Sequence, residues 1–279
     1  MPTTKYGLGA AIMKISIVTI SFNQSKFLEH CILSVLSQAV EELEYIVVDP
    51  GSTDGSRNII EKYRDSIDQI VFEKDHGPAD GLNRGFHRAN GDIYGFLNSD
   101  DILLPGALTY VEQYFDTHPD IDVLSGDGLV IDESGNEIRK CYSDRFSVLR
   151  FAYGSCVLVQ PSTFFRSSIF KAVNGFNSEN KAAWDGELFL EMAIHGAKFA
   201  RSRILLSGFR LHSTSITASG KLDAEIAAHD RYIFRKVKGR NFNPLDYIIS
   251  LWCRIFKHCS RPRAFYERLK KGPIYRRLS

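Results

Sequence analysis

Cysteine is scarce in the sequence and widely spaced. The five cysteines stand at positions 31, 141, 156, 253 and 259 of 279 residues, and no C-x-x-C pair occurs. An odd number at these spacings argues against a disulfide framework, and the lack of paired cysteines argues against a zinc site. The sequence therefore indicates a reduced, cytoplasmic protein.

Long apolar runs are also missing. No segment reaches the roughly 18 apolar residues that a membrane-spanning helix requires. The opening MPTTKYGLGAAIMK has no apolar stretch typical of a signal peptide, so none is expected. Neither G-x-G-x-x-G after the first predicted strand nor G-x-x-x-x-G-K-[ST] anywhere is found. A nicotinamide dinucleotide site and a P-loop nucleotide site are therefore disfavoured.

The charge is unevenly distributed. The whole chain has a formal net charge of +2, yet residues 243–279 contain nine lysines and arginines against two carboxylates. The rest of the chain is therefore net acidic. Hydrophobic residues make up 44% and charged residues 24%, which is ordinary for a protein with a buried core.

The first hundred residues alternate between strand and helix patterns. Short apolar, β-branched runs predict strands at 15–20, 44–49, 67–73 and 93–97. Helical spacing of apolar residues, or a turn leading into a helix, predicts helices at 25–38, at 56–65 and within 77–89. This alternation predicts parallel βαβ units in an α/β fold.

Polar clusters follow all four predicted strands. They lie at 19–23, 49–54, 75–77 and 98–101. A single polar strand exit is usually an ordinary solvated loop. The carboxyl ends of parallel strands meet at one edge of a sheet, however, and ligands bind there. Four polar exits at one edge therefore predict a ligand site.

Two adjacent carboxylates, Asp100 and Asp101, interrupt apolar surroundings in GFLNSDDIL. Repulsion and desolvation oppose such a pair unless a cation or hydrogen-bond donors compensate. Hard oxygen ligands suit Mn²⁺ or Mg²⁺ held jointly with a substrate diphosphate. We predict Asp100 as a metal ligand, and Asp101 as either a second ligand or the cap of the following turn.

The motifs of this region resemble a known family. IVTISFNQ, YIVVDPGSTDGS, EKDHG with LNRGF, and ANGDIYGFLNSDD are similar to segments of inverting family 2 glycosyltransferases with the GT-A fold. The resemblance covers residues 14–215, predicted as one domain, and leaves 216–279 as a helical, basic extension. It implies a Rossmann-like, mainly parallel sheet flanked by helices.

The resemblance also implies an activity. Such an enzyme transfers a sugar with inversion from a nucleotide-sugar, here a UDP-sugar first, to a saccharide or a lipid-linked acceptor. It uses Mn²⁺ or Mg²⁺ and takes part in cell-surface polysaccharide or glycan biosynthesis. A nucleotidylyltransferase and a non-catalytic nucleotide-sugar-binding relative are the alternatives. The first would need a Gly-rich basic loop after the first strand, and ISFNQS is not one.

The residues that the resemblance assigns to the donor lie mostly at the strand exits. They are Thr19, Ser21, Phe22, Asn23, Asp49, Ser52, Asp75, Asn83, Asn98, Ser99 and Arg210. Packing of its helix is an alternative role for Asn83. Asn98 stands where the family often has an aspartate, so it is expected to meet ribose rather than metal. Pro50 replaces the second aspartate of the usual D-D-G-S and removes a backbone donor.

The motif WDGELFL at 184–190 carries the expected general base. The resemblance implies that Asp185 accepts the acceptor's proton, with Glu187 as the fallback, and that Trp184 stacks on the acceptor ring. The alternative is that both carboxylates only complement the dipole of a helix that starts here. His212 is the last implied site residue, as a metal ligand or a phosphate donor, with a structural histidine as the alternative.

The tail contains a strongly apolar segment with a basic edge, LDYIISLWCRIFK at 245–257. Two interpretations remain open. It forms an amphipathic helix that binds an anionic surface at the inner face of the plasma membrane, or it packs on the core with a solvated basic end. Nucleic acid is not expected as a partner, because only the basic tail favours it.

Overall fold

A computed structural model of the protein describes residues 13–212 and 223–272. The expected absence of a signal peptide concerns residues outside this part of the chain. The predicted domain boundary at 215 and 216 and the last basic residues, Arg276 and Arg277, lie outside it as well. The division into two domains therefore stays a prediction.

The described chain forms nine strands and ten α-helices. The strands are β1 (Ile15–Ile20), β2 (Leu43–Val48), β3 (Gln69–Val71), β4 (Ile93–Asn98), β5 (Ile102–Leu103), β6 (Val123–Ile131), β7 (Glu137–Cys141), β8 (Thr163–Arg166) and β9 (Phe199–Arg210). The helices are α1 (Ser25–Leu36), α2 (Ser56–Lys62), α3 (Pro78–Arg88), α4 (Ala107–Thr117), α5 (Val148–Ala152), α6 (Ser167–Ala172), α7 (Trp184–Ile194), α8 (Asp223–Lys238), α9 (Pro244–Ser260) and α10 (Pro262–Lys271).

All nine strands belong to one sheet, in the order β3-β2-β1-β4-β8-β6-β9-β5, with β7 paired to β6. Strands β1 to β4 are parallel, and β8 runs antiparallel between β4 and β6. Ile20 is level with both Val48 and Asn98 in the register. The chain therefore leaves β1, β2 and β4 at the same height, and the mainly parallel α/β sheet expected from the sequence is confirmed.

The core lies on both faces of the sheet, as expected for parallel strands covered by helices. On one face Ile15 and Ile17 pack with residues of α1, α2 and α4. On the other face Val18 packs with residues of α3, α6 and α7. Helix α3 comes so close that a Cβ at Gly85 would lie 2.5 Å from a methyl carbon of Val18. The two layers of helices hold the strand ends in place.

Strand β9 is the main element that the sequence did not predict. It runs parallel to β6 and antiparallel to the two-residue strand β5. Gly208 pairs with Ile102, just after the Asp100–Asp101 turn, and Arg210 ends the strand. β9 therefore brings residues 210–212 next to a turn more than a hundred positions earlier in the chain.

Helices α8 to α10 follow the sheet and pack against the β6–β7 hairpin and α5. Asp246 in the first turn of α9 is fully buried, accepts a hydrogen bond from Tyr153 Oη at 2.7 Å, and forms a capping box with Asn243. At the far end, Lys271 Nζ donates to Ile138 O at 2.7 Å and Arg139 Nη1 to Gly272 O at 2.6 Å. The extension is thus fixed to the end of α5 at the start of α9 and to strand β7 at the end of α10.

Candidate active site

One cavity of about 1530 Å³ opens where β1 to β4 end. All four polar exits contribute lining residues: Ser21, Phe22, Asn23, Pro50, Gly51, Lys74, Asp75, Gly77, Asn98, Ser99 and Asp100. The sequence predicted that these exits meet at one edge of the sheet, and the cavity shows that they do. Helix α7 contributes Trp184 and Asp185 to the same cavity.

The loops after β1 and β2 are tied to each other. The Asn23 amide N–H donates to Ser52 Oγ at 2.8 Å, and Asn23 Oδ1 accepts from the Thr53 amide at 2.9 Å. Asn23 adopts a positive φ of 53° to make both bonds. Phe22, which is 60% exposed, and the buried Ser21, whose Oγ has no hydrogen-bond partner in the described chain, both line the cavity. These hydrogen bonds join the loops after β1 and β2 at the mouth of the cavity.

Asp49 holds the loop after β2 in place through hydrogen bonds. Its Oδ1 accepts the amide N–H groups of Gly51 and Ser52 at 3.0 and 2.8 Å and is bonded by Arg57 Nε at 3.1 Å. Its Oδ2 is buried and has no partner among the described residues. A buried carboxylate oxygen without a donor is costly, because its desolvation is not compensated. Asp49 does not itself line the cavity, so this oxygen is an unpaired acceptor behind the lining residues Pro50 and Gly51.

Thr19 and Asn83 are placed away from the lining of the cavity. Thr19 is fully buried. Its side chain points into the core, where its Oγ1 accepts a hydrogen bond from Tyr45 Oη at 3.0 Å. Asn83 donates to Phe176 O at 2.8 Å and accepts from Phe176 N at 2.9 Å. The predicted contacts of these two residues with the nucleotide do not fit these positions. Asn83 instead fixes the segment that leads to α7.

Asp75 lines the cavity at the exit of β3 and accepts the Gly77 amide at 3.0 Å. Burial raises the pKa of Asp75. Helix α3 passes close beneath it, and a Cβ at Gly81 would lie 2.6 Å from Asp75 Oδ2. A glycine at position 81 is therefore needed for this carboxylate to keep its place.

The adjacent aspartates point in different directions. Asp100 lines the cavity, and its Oδ2 lies 2.9 Å from His212 Nε2. Asp101 is 1% exposed and accepts the Arg210 amide N–H at 3.0 Å. Burial and the neighbouring Asp100 raise the pKa of Asp101 well above its usual range. Asp101 therefore braces the turn from inside, so the predicted second metal ligand does not fit this placement.

Arg210 is likewise turned inward and 1% exposed. Its Nε donates to Asp100 O at 2.8 Å, and its Nη1 donates to Asp132 O and Glu133 O at 2.9 and 3.0 Å. Nη2 lies 3.1 Å from His30 Nδ1. The predicted contact with a donor phosphate does not fit this placement, because the guanidinium ties the Asp100 turn to the β6–β7 hairpin loop.

Asp100 and His212 together suit a divalent cation that is shared with a substrate. Among residues 13–212 and 223–272 no group of three His, Cys, Asp or Glu side chains could hold a metal alone. A cation that takes most of its ligands from substrate phosphates and water needs only one or two from the protein. The carboxylate oxygen and imidazole nitrogen that meet at 2.9 Å fit that requirement.

The two carboxylates at the start of α7 differ. Asp185 is partly buried and lines the cavity, and burial raises its pKa. Glu187 is 4% exposed and accepts hydrogen bonds from Asn177 Nδ2 at 3.1 Å and Asn180 Nδ2 at 2.6 Å. Glu187 does not line the cavity. It holds the loop before α7, whereas Asp185 lines the cavity.

Trp184 closes the cavity beside Asp185. Its ring packs against Phe96 and Phe176, with centroids 5.6 and 5.4 Å away. Gln160, from the short helical turn before β8, also lines the cavity and accepts from Asn98 Nδ2 at 3.3 Å. Asn98 is therefore oriented by a neighbouring amide.

The far wall of the cavity was not predicted from the sequence. It is formed by α9, α10 and β7, and its lining residues include Arg139, Lys257, His258, Arg261, Phe265 and Arg268. The excess of basic residues in the tail was visible in the sequence. Which of them face the cavity follows from how α9 and α10 pack, and no local motif reports that.

Comparison with known proteins identifies the family. The family model described as glycosyl transferase family 2 matches residues 16–173. An uncharacterized glycosyltransferase of Nostoc is 32% identical over 49% of this chain and 45% of its own length. A Campylobacter jejuni protein named GalNAc(5)-diNAcBac-PP-undecaprenol beta-1,3-glucosyltransferase is 33% identical over 36% of this chain and 34% of its own length. The matches to the first curated relatives span about half of those relatives' length.

Solved structures share the fold. The mannosyltransferase PcManGT of Pyrobaculum calidifontis, in complex with GDP-Man and Mn²⁺, superposes with a TM-score of 0.64 at 17% identity, covering 95% of this chain and 77% of that one. TarS 1–349 of S. aureus, in complex with UDP-GlcNAc, gives a TM-score of 0.61 at 20% identity, with 94% and 77% covered. The expected GT-A fold is confirmed. The family match extends over more than half of the chain, and the protein belongs to glycosyl transferase family 2.

Proposed function

We propose that this protein transfers a sugar from a nucleotide-sugar, a UDP-sugar first, to an acceptor hydroxyl with inversion. One observation carries the proposal: Asp185 and Asp100 line one cavity, which the polar exits of four strands surround, and the buried His212 contacts Asp100 from behind. A general base and an anchor for a diphosphate are the two parts that such a transfer requires.

Asp185 is the general base of this mechanism. Its carboxylate takes the proton of the acceptor hydroxyl as that oxygen attacks the anomeric carbon. The bond from that carbon to the diphosphate oxygen breaks on the opposite face, and the nucleoside diphosphate leaves with the electron pair. Burial raises the pKa of Asp185, which makes its carboxylate a stronger base than an exposed aspartate.

Asp100 and His212 would hold Mn²⁺ or Mg²⁺ together with the donor's phosphates. When bound, this cation neutralises the negative charge that develops on the leaving diphosphate. The protein's own part is to keep Asp100 in place, through the bond from Arg210 Nε to its carbonyl and the contact of its carboxylate with His212. Mn²⁺ in the complex of the archaeal structural neighbour supports the metal.

The first two exits suit a nucleoside. Phe22 offers an exposed ring at the mouth of the cavity, on which a base can stack. Asp49 lies directly behind the lining residues Pro50 and Gly51, and its unpaired Oδ2 is an acceptor that would suit the N–H of uracil or a ribose hydroxyl. UDP-GlcNAc in the complex of the S. aureus neighbour supports a UDP-sugar as the donor.

For the acceptor we propose a lipid-linked saccharide in cell-surface glycan biosynthesis, reached at an anionic membrane surface. The name of the Campylobacter jejuni relative supports this substrate class. Helix α9 supports the location, because Leu245, Trp252 and Phe256 are 68%, 66% and 58% exposed, while Asp246 and Cys253 face the core. None of the helices in the described parts of the chain is long and apolar enough to cross a bilayer.

Donor turnover tests the proposal. Hydrolysis of a panel of nucleotide-sugars is measured with Mn²⁺, with Mg²⁺ and with EDTA. We expect turnover of a UDP-sugar that EDTA abolishes and added metal restores. Asp100→Asn should lose most of it, whereas Asp116→Asn, an exposed carboxylate on α4, should behave as wild type. Equal rates with metal and with EDTA would contradict the role of the cation.

A further inference from the structure

We infer that the far wall of the cavity, formed by α9, α10 and β7, is a binding site for a phosphate or diphosphate group carried by the acceptor. This inference rests on the proposed function, since it names the chemical class of the second substrate. The wall carries Arg139, Lys140, Lys257, Arg261 and Arg268, and no Asp or Glu of the described chain lines it.

Arg261 is the central observation. Its side chain is 10% exposed and lines the cavity. Nε lies 3.5 Å from Asp144 Oδ1, whereas Nη2 is buried without a hydrogen-bond partner among the described residues. A buried guanidinium nitrogen without an acceptor is unfavourable, and a phosphate oxygen is the acceptor that this fork fits best.

A second, smaller cavity of about 430 Å³ adjoins the same wall. It is lined by Gly154, Ser155, Arg254, Lys257, His258 and Arg268. Lys257, His258 and Arg268 line both cavities, so the two form one continuous basic region. Burial and the nearby cationic side chains of Arg268 and Lys257 lower the pKa of His258.

The charges behind the wall do not cancel those on it. Asp144 lies 3.2 Å from Lys257 Nζ and 3.5 Å from Arg261 Nε, so one carboxylate is shared by two cations. Asp127 pairs with Arg201 at 3.2 Å, and the one carboxylate on α10, Glu267, has a buried Oε2 and does not line the cavity. Arg254 and Arg268 are exposed at the rim. At least two positive charges therefore face the cavity without a carboxylate partner in the described chain.

The donor's diphosphate belongs at the other end of the cavity. The carboxylates that line it, Asp75, Asp100 and Asp185, are all at that end. Without a cation they repel an anion, while the far wall attracts one. Lys74 and Lys181 also line the donor end, so that end carries both signs of charge, whereas the charged residues that line the far wall are all cations. The two ends therefore differ in charge, and they suit two different phosphate groups.

Binding of inorganic pyrophosphate to the full chain tests the inference. Calorimetric titration is carried out with EDTA present, so that the donor end, deprived of its cation, does not bind the anion. A short prenyl diphosphate and the corresponding prenol are titrated in the same detergent. We expect both diphosphates to bind and the prenol not to bind. Tighter binding of the prenyl diphosphate than of pyrophosphate would indicate a lipid headgroup, and equal binding would indicate the phosphate group alone.

Variants make the test specific. Arg254 and Arg268 are exposed, so replacing both with Gln should preserve folding while weakening each diphosphate at least about tenfold. Arg261→Lys keeps the positive charge and removes the paired N–H donors of the guanidinium, and it should also weaken binding of the diphosphates. Lys270→Gln is the matched control, an exposed lysine on α10 that lines neither cavity. Its affinity should equal that of wild type.

No diphosphate binding, or binding that Arg254→Gln/Arg268→Gln leaves unchanged, would overturn the inference. Donor turnover is measured separately. Turnover without pyrophosphate binding would contradict the anion site at the basic wall and leave the proposed glycosyltransferase activity standing. Pyrophosphate binding without turnover of any nucleotide-sugar would contradict the proposed function and leave the anion site standing.

Discussion

At the scale of single residues, the different surroundings of Asp185 and Glu187 favour Asp185 as the proposed general base. Asp185 lines the cavity, whereas Glu187 is engaged by two asparagine side chains. We expect Asp185→Asn to lower kcat for sugar transfer by about 10²- to 10⁴-fold, the range for loss of a general base. An Asp185→Asn variant with full transfer activity would exclude this base.

The pH dependence of transfer should report the same carboxylate. A base acts in its deprotonated form, and burial raises the pKa of Asp185. The fall of kcat on the acid side should therefore begin at a higher pH than an ordinary aspartate would produce. Rates measured between pH 4 and pH 8 with saturating donor would show this limb, and an acid limb at or below the ordinary pKa of about 3.9 would contradict it.

Glu187→Gln should act on stability rather than on the chemical step. Glutamine keeps one acceptor oxygen and turns an amide toward a neighbouring Asn donor, which we expect to cost about 1–3 kcal/mol of folding free energy. Thermal unfolding should show a lower Tm, and the KM for acceptor should rise because the start of α7 shifts. Loss of kcat with an unchanged Tm would instead mark Glu187 as the base.

The sequence predicted residue types at the exits better than it predicted where their side chains point. Asp100 and Asp101 are adjacent, and pattern alone does not say which of the two faces the cavity. That is fixed by β9, whose Arg210 amide binds Asp101 from behind. Arg210 itself has the chemistry of a phosphate ligand, yet backbone carbonyls and His30 engage its guanidinium.

At the scale of elements, the start of α9 holds the extension against the end of α5. Bonds from Arg240 lower the pKa of Asp246 well below its usual range, and the Asn243 amide and Tyr153 hydroxyl act in the same direction. The stability that Asp246 contributes is therefore full above its unfolded pKa of about 3.9. It is lost as the pH falls toward the lower folded pKa.

Asp246→Asn should lower the Tm clearly at pH 7, and the difference from wild type should shrink as the pH is lowered below 4. Thermal unfolding at several pH values measures it, with Asp116→Asn on α4 as the exposed control. Tyr153→Phe removes one donor to Asp246 and should give a smaller loss at pH 7. A difference that grew with acid would contradict the assigned role of the carboxylate.

The predicted elements and the missed one differ in the strength of their patterns. β1, β2 and β4 are mostly apolar, and β1 and β2 are rich in β-branched residues, so their burial on both faces was readable. β9 reads FARSRILLSGFR, with three arginines and two serines. Its polar residues are stabilised by long-range partners such as Asp127 and Tyr110, which no window of local sequence contains. β3 is shorter than predicted for a related reason, since only three residues pair with β2.

At the scale of the whole molecule, the exposed face of α9 should determine attachment to membranes. Trp252→Ser removes a side chain that is 66% exposed. We expect binding to vesicles containing anionic phospholipid to weaken by about 10- to 100-fold, consistent with about 1.5–3 kcal/mol for burying a large apolar side chain. Added salt should weaken wild-type binding further, because basic residues flank the face.

Cosedimentation with vesicles measures this attachment. Leu33→Ser is the matched control, since Leu33 is 45% exposed on α1, in another part of the molecule. It should bind vesicles as wild type does. Equal binding of Trp252→Ser and wild type would show that α9 does not enter the interface, and uncharged vesicles that bind as well as anionic ones would exclude the basic residues.

The wall formed by α9 and α10 bears on which part of the chain selects each substrate. The family match ends at residue 173, before Asp185 and before both helices. In the proposed function, the nucleotide is bound mainly by the first hundred residues and the acceptor mainly by residues after 180. The residues for the two substrates would then follow one another along the chain. Exchanging residues 244–272 between relatives should redirect the enzyme to another acceptor while it continues to use the same donor.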